Sequence, residues 1–549
     1  MSLKKFSSLI LFVMILALTS LACGVFGGLG DGIPNDAVVV NVTASKSLQP
    51  WLDTAVTQFN NSDIETADGN PIYVSLNPVE AGQAVTDMAG GTDTTLWIPD
   101  QQVWVNVLAD QGNADFQGDC QSAAQSPLVI GMWRDAAAAL GWPGLPLGWL
   151  DIGSLAADPA AWNYYSGGEL GQDFRMGHTH PGLSATGANT LLAVVQAAQS
   201  KTSAVSAEDI QQPIVQASVG AFEGGVTWFS QNSADLAQTM NQRGINYLTA
   251  GVMYESDVVN YGGGNLAAIY PLEGTFMANF PACVNQSAGG EEVEAALLFR
   301  DYLLNKEGQQ AALENGLRPV NPDIPLGPPL DEAHGVDPGQ PEVVFAPPSV
   351  KTVYAVQDLW QEARKDVNLV MALDTSGSMY GSKMDNMRAA AAQFVQQMGD
   401  DDYISIISFN TEPYLLVEHA QVGPNRNKII NAVNGLYADG DTTLFDAIGD
   451  AGTVLSRTTL PSTANALVVL TDGQDTRSYR YDETTAVNEA IANNATVFTI
   501  AYGYDADDAV LSALAERANG KFFQGDEASI DAIYDEMSAA FGGNVGVGR

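Results

Sequence analysis

Basic residues are scarce in this 549-residue chain: 23 Lys and Arg stand against 64 Asp and Glu, a formal net charge of −41. Such a surface repels nucleic-acid phosphates and anionic lipid headgroups, which argues against nucleic-acid binding and keeps the chain well solvated. The deficit is no local tail, because residues 366–549 hold 26 of the acidic and 10 of the basic groups and the preceding part is just as lopsided. Histidine is rare too. Its four residues are scattered without zinc-ligand spacing, and His178 and His180, two apart, have no carboxylate partner in sequence and read as loop residues. Cysteine is rarer still, at Cys23, Cys120 and Cys283. There is no Gly-x-Ser-x-Gly elbow, no internal repeat and, past the first residues, no apolar run long enough to span a bilayer. What is present is 46% hydrophobic, enough for packed cores, in a length that calls for two or three domains.

The beginning of the chain reads as a targeting segment. Lys4 and Lys5 precede an apolar stretch from Leu9 to Leu18, then small residues and "LACG" around Cys23. This is the order of a secretory signal over residues 1–22. Leu21, Ala22 and Cys23 resemble a bacterial lipobox, although Ser20 departs from the usual Leu; the resemblance implies lipidation of Cys23 and an anchor on the outer face of the cytoplasmic membrane. Residues 23–36 form a Gly-rich tether. In an exported protein Cys120 and Cys283 are expected to pair, the alternative being two buried thiols.

Proline clusters between Pro319 and Pro348, marking a connection or a wrapping tail rather than a core element. Residues 346–365 then read as a linker and one helix, with the main boundary at Asp366. From there to residue 541 strands and helices alternate: "DVNLVMAL", "YISIISF", "ALVVLTDG" and "TVFTIAYG" are apolar runs of strand length, "YLLVEHA" is an edge-strand candidate, and apolar residues at helical spacing lie between them. Such alternation predicts a doubly wound α/β sheet, followed by a tail at 542–549. Residues 37–345 are also mixed α/β. The strand-like "NLAAIYPLEGTFMANFP" returns some 140 residues after "SPLVIGMW", which predicts two lobes joined by crossing strands with a cleft between them.

In a doubly wound sheet the loops at the carboxyl ends of strands line the binding crevice. Three such loops here carry hard oxygen donors: "DTSGS" at 374–378, "GDTTLFDA" at 440–447 and "LTDG" at 470–473. Asp374 and Asp472 offer charge, and Ser376, Ser378 and Thr442 offer hydroxyls, a set suited to Mg²⁺ or Mn²⁺. Residues 366–541 resemble von Willebrand factor type A domains, and these loops resemble their metal-ion-dependent adhesion site. The Asp-x-Ser-x-Ser motif is complete as Asp374, Ser376 and Ser378; the family's Thr falls on Thr442, with Thr443 as the alternative register, and its distal Asp on Asp472. The resemblance implies a bound Mg²⁺ or Mn²⁺ and a protein ligand whose acidic side chain completes the metal shell. Ser376 as a hydrolase nucleophile lacks a base, since the nearest candidate in sequence, His419, falls on the presumed edge strand.

In the N-terminal part, "GHTHPGLSATGAN" runs a hydroxyl-rich loop into a helix, where free N–H groups attract anions or carboxylates. Ser184, Thr186 and Asn189 are the donors expected there, with a plain N-cap as the alternative. This stretch, with "SPLVIGMW", "YPLEGTFMANFP" and "ENGLRPVNP", resembles bacterial extracellular solute-binding proteins of the type 2 periplasmic fold over residues 37–345. The resemblance implies two lobes closing on a small solute, with Ser45, Ser47, Trp97, Tyr270 and Glu273 as further lining residues. The expected protein is a non-enzymatic, lipid-anchored surface protein that binds a protein partner through a divalent metal and a small solute in its cleft. The alternative is the substrate-binding receptor of an ABC-type importer with an accessory C-terminal domain.

Overall fold

A computed structural model of the chain describes residues 33–543 apart from 35, 172, 461 and 462. The leader, Cys23, most of the tether and residues 544–549 lie outside the described residues. Among the described residues no helix is long and apolar enough to cross a membrane.

Strand β1 (Val38–Ala44) pairs in parallel with β2 (Ile72–Pro78) and β3 (Leu96–Ile98). The chain adds β4 (Cys120–Ser122) and crosses into a second sheet built from β5 (Ser126–Trp133), β6 (Met176–Thr179), β7 (Val226–Ser230), β8 (Ala250–Tyr254), β9 (Leu266–Ile269) and β10 (Met277–Ala278). It then returns through β11 (Pro281–Val284) to close the first sheet in the order β2-β1-β3-β11-β4. The second sheet runs β10-β5-β8-β6-β7, with β9 also paired to β5. These are the two expected lobes. The returning stretch is not one long strand, however. Pro271 and Gly274 interrupt it, and Gly274 has a φ of +117°, a conformation that side chains disfavour, with Val343 close to where a Cβ would stand.

Antiparallel β4 and β11 place Cys120 opposite Cys283, and the two form a disulfide across a sequence separation of 163. The proline-rich segment wraps the second lobe. Leu330 and Val336 enter a buried cluster with Val258 and Leu266, and Phe345 packs on Phe276 with ring centroids 5.3 Å apart.

The C-terminal sheet has the order β14-β13-β12-β15-β16-β17. Its strands are β12 (Asp366–Asp374), β13 (Tyr403–Phe409), β14 (Pro413–Gln421), β15 (Thr463–Thr471), β16 (Thr496–Tyr502) and β17 (Phe522–Gly525). All neighbours are parallel except β13 and β14, so β14 is the antiparallel edge. The unbroken apolar run of β12 follows from burial on both faces: Leu369, Met371 and Leu373 point into one core, Val370 and Ala372 into the other. Helix Ser382–Gln397 covers the first face with Met384, Met387, Ala390, Ala391, Phe394 and Val395.

The helix expected between the two domains, Val350–Ala363, is a packed element that buries Val353, Val356, Leu359 and Trp360. Trp360 is the joint of the molecule. Its Nε1 donates to Glu223 Oε2 at 3.2 Å, and its ring meets those of His180 at 4.6 Å and Phe229 at 5.2 Å. Glu223 Oε1 is bonded to His178 Nε2 at 2.9 Å. Gly182 N donates to His180 Nδ1, leaving Nε2–H to donate at 2.9 Å to Gly543 O, just past the last helix of the C-terminal domain. Burial pushes the His180 imidazole down to about 3, so the ring is neutral, as this bonding requires. One turn on, Arg364 forks the buried Asp402 at 3.0 and 3.2 Å and so ties the helix to the sheet that follows it.

Replacing both Cys120 and Cys283 by Ser is expected to lower the stability of the first lobe by roughly 2–5 kcal/mol, because the bridge removes the loop-closure freedom of a long unfolded segment. The urea midpoint of the full chain measures it, and a midpoint equal to wild type would show that the bridge contributes nothing.

Candidate functional site

The three donor loops meet at the carboxyl ends of β12 and β15. Asp374, the last residue of β12, is fully buried and held by two donors: Ser376 N reaches Oδ1 at 2.8 Å and the Thr471 hydroxyl reaches Oδ2 at 2.6 Å. Ser376 and Ser378 hydroxyls lie 3.1 Å apart, and Ser378 donates to Asp472 Oδ1 at 2.6 Å. The second loop is pinned by Gly377 N donating to Gly440 O at 3.0 Å. It brings the Thr442 hydroxyl beside Gly473, where a Cβ would lie 3.9 Å from Thr442 Oγ1 and 4.0 Å from Ser378 Oγ. Thr443 is committed elsewhere, its hydroxyl donating to Asn410 O at 2.9 Å. Thr442 is thus the threonine on the same side as Ser378.

Burial raises the Asp374 carboxyl to about 6 against the lowering effect of its donors, and the nearby Asp472 adds to the rise. Asp472 is also fully buried, and its Oδ2 accepts a 2.7 Å bond from Lys383 Nζ on helix Ser382–Gln397. Sequence reading missed Lys383 and Thr471; only their nearness to the motif residues, within nine positions of Asp374 and next to Asp472, gave a signal. The neighbouring Asp446 is structural: it accepts from Arg480 N at 2.9 Å and Tyr481 N at 3.0 Å and so shapes the third loop.

The donor set fits a hard divalent cation. Two carboxylates and three hydroxyls are oxygen donors of the kind Mg²⁺ and Mn²⁺ select, and Lys383 shows that a positive charge is accommodated at Asp472. No three His, Cys, Asp or Glu among the described residues are grouped to hold a metal, so an ion here would rely on hydroxyls and water.

The seam between the N-terminal lobes gathers a second set. Ser45 donates to Asp100 Oδ1 at 3.2 Å, and Ser47 lies 3.2 Å from the Ser233 hydroxyl and 3.3 Å from Asp257 Oδ2. Ser184, the N-cap of helix Ala185–Gln199, gives its hydroxyl to Glu80 Oε2 of the other lobe, not to its own helix. Thr186 bonds Ser184 and Thr179, and Asn189 donates to Gln101 Oε1 at 3.1 Å. Gly82 N donates to Leu183 O at 2.8 Å, an approach that only Gly allows because a Cβ there would lie 2.3 Å from Gly182 O.

Ser45, Ser47, Ser184, Thr186 and Asn189 therefore share this seam, whereas Trp97, Tyr270 and Glu273 do not join it. Trp97 packs edge-on to Phe116 in an apolar cluster with Trp104 and Cys283. The Tyr270 hydroxyl donates to Glu255, which Arg318 forks at 2.8 and 2.6 Å. Glu273 accepts from Trp149 N at 3.0 Å and fixes a helix start. In place of these, the seam holds Glu80, Asp100, Tyr254 and Asp257, none of which stood out in sequence.

A two-lobed α/β fold with a polar seam, joined to a doubly wound domain with oxygen donors at its strand ends, defines a two-domain binding protein. Residues 40–318 match the bacterial extracellular solute-binding protein family, and residues 368–536 match the von Willebrand factor type A domain. The first match spans just over half of the chain, and the chain belongs to that family of extracellular proteins. Relatives include an uncharacterized protein, sll0103, of Synechocystis sp., 27% identical over 159 residues, which are 29% of this chain and 37% of that protein. The inter-alpha-trypsin inhibitor heavy chain H4 of Homo sapiens is 30% identical over 164 residues, 27% of this chain and 17% of that protein. The chain thus spans well under half the length of these curated relatives. Among solved structures, the sulfate-binding protein SubI from Mycobacterium tuberculosis H37Rv is 17% identical with a TM-score of 0.39, covering 52% of this chain and 88% of that one.

Burial raises Asp100 and Asp257 to about 6, above the ordinary 3.8 they regain on unfolding. The folded state therefore holds their protons more tightly, and its stabilisation is full below about 3.8 and lost as pH rises through about 6. In the absence of added solute, thermal unfolding monitored at pH 5 and pH 7.5 is expected to show the lobes more stable at the lower pH, by on the order of 1 kcal/mol per group. The double variant Asp100→Asn/Asp257→Asn should flatten this dependence; a wild-type slope in that variant would show that other groups carry it.

Proposed function

We propose that the chain is an exported, non-enzymatic binding protein, lipid-anchored through Cys23, whose C-terminal domain grips a protein partner through Mg²⁺ or Mn²⁺. The observation that carries this reading is the convergence of Asp374, Ser376, Ser378, Thr442 and Asp472 from three separate loops at one end of a parallel sheet. The ion, when bound, supplies an electrophilic position for an acidic side chain of the partner. The chain's own residues prepare for it. Thr471 and the Ser376 N–H fix the Asp374 carboxylate, and Ser378 holds Asp472 in line with the first loop.

Lys383 neutralises Asp472 and must yield when another cation takes that carboxylate. Ser376 is not set up as a nucleophile: its hydroxyl bonds Ser378, and His419 stacks 4.5 Å from Tyr403 at the opposite end of the sheet. The two-lobed domain, with its polar seam, holds a small solute.

Titration calorimetry of the full chain with MnCl₂ is expected to show one site, weakened about tenfold or more in Ser376→Ala and Asp374→Asn variants that retain their circular dichroism. Wild-type protein that takes up no Mn²⁺ or Mg²⁺ would end this reading. Lys383→Met should tighten Mn²⁺ binding by roughly fivefold, the worth of a partly exposed ion pair at about 1 kcal/mol. Weaker binding in that variant would instead make Lys383 a brace for Asp472.

A further inference from the structure

The carboxylates of the interlobe seam are answered differently from most of the other buried acids, Asp374 excepted. Asp402 faces Arg364, Glu255 faces Arg318 and Asp446 faces Arg480. Asp100 Oδ1 has only the hydroxyls of Tyr254, at 2.7 Å, and Ser45. Asp257 Oδ2 has the Ser233 hydroxyl at 2.7 Å, Tyr254 N at 3.0 Å and Ser47. Glu80 Oε2 has the Ser184 hydroxyl. In each carboxylate the second oxygen, Glu80 Oε1, Asp100 Oδ2 and Asp257 Oδ1, is buried and has no donor among the described residues. The cation that acts on Glu80, Lys46, is partly exposed and stands 3.8 Å from Asp235. Three buried carboxylates with neutral donors alone are an expensive arrangement unless a proton or another cation joins them.

We propose that the cleft takes a small organic cation, a primary ammonium or a guanidinium, whose N–H groups are received by Glu80 Oε1, Asp100 Oδ2 and Asp257 Oδ1. This rests on the reading of residues 40–318 as a solute-binding domain and narrows its solute to one chemical class. A bare metal ion fits less well, because no three acids among the described residues are grouped tightly enough to ligate one. An anion is disfavoured by the same chemistry. Helix Ala81–Ala89 already carries Glu80 at its N-cap, and an incoming negative charge would meet three carboxylates that no arginine among the described residues pairs. Glu80 and Asp100 belong to the first lobe and Asp257 to the second, so a cation shared among them would add to the direct bonds that already join the lobes.

Titration calorimetry of the full chain at pH 7.5 with 1,4-diaminobutane and L-arginine amide tests this, with sodium sulfate, sodium phosphate and glucose as contrasts. At least one cationic probe is expected to bind once per chain, and Asp257→Asn and Asp100→Asn should each weaken it roughly tenfold or more. Both variants are nearly isosteric, and their thermal unfolding in the absence of probe verifies that they fold. Cation binding that neither variant alters would overturn the site. Binding of sulfate, phosphate or glucose in place of the cations would overturn the class of solute while leaving the domain a solute binder. No heat from any probe, with an unchanged small-angle scattering profile in all of them, would overturn both readings.

Discussion

A buried carboxylate must find a proton, a donor or a cation, and in a chain of net charge −41 cations are in short supply. Much of this structure follows from how that supply is spent. Arg364 goes to Asp402, Arg318 to Glu255 and Arg480 to Asp446, each at a place where a helix or loop must be fixed against its neighbour. Glu223 receives His178 and the indole of Trp360, which fastens the connecting helix to the second lobe. These acids are structural because their charges are answered from within. What is left over falls in two places: Asp374 with Asp472, where a single lysine attends only the latter, and the seam of Glu80, Asp100 and Asp257, where no arginine among the described residues attends. The sites proposed for function are those where the chain leaves negative charge for something else to complete.

The same scarcity explains what could be read in sequence. The C-terminal domain was legible because its strands are buried on both faces and its donors sit directly after them; "LVMALDTSGS" places an acid where an apolar run stops, and β15 repeats the device at Asp472. Thr442 against Thr443 was not decidable from sequence. It depends on which hydroxyl the backbone turns towards Gly473 and which towards Asn410. The seam acids were illegible for a different reason. In a chain with 64 acidic residues an acid carries little information, and Glu80, Asp100 and Asp257 look like any solvated carboxylate until the fold buries them together. Aromatic and strand-end residues drew attention instead, yet Trp97 belongs to a core and Tyr270 and Glu273 to hydrogen bonds that hold the second lobe in shape. Serines at helix starts were the more reliable guide, since Ser47 and Ser184 lie where the carboxylates do.

The connecting helix sets how the two domains bear on each other. Its carboxyl-terminal end is sunk into the second lobe by Trp360, beside His180 and Phe229, and the C-terminal domain adds contacts to the same lobe through Gly543 and through Gly520, which accepts from Arg243. Its amino-terminal end touches the first lobe as well: Val353 packs in the cluster of Trp104 and Val107, which also takes in Ala185 and Ala188 of the second lobe, and the Tyr354 hydroxyl donates to Asp110 at 3.2 Å. One helix therefore spans both lobes. Any separation of the lobes must break one of its two attachments. The Trp360 end is buried and holds bonded polar groups that would be left unpaired, whereas the Tyr354 bond is exposed and water can replace it. Opening of the cleft would therefore release the first lobe from the helix and leave the C-terminal domain fixed to the second. On the proposed reading, a solute that draws the lobes together would restore the first-lobe contacts of Val353, and the oxygen-donor loops, carried on the sheet that begins at Asp366, would then be held by both lobes rather than one.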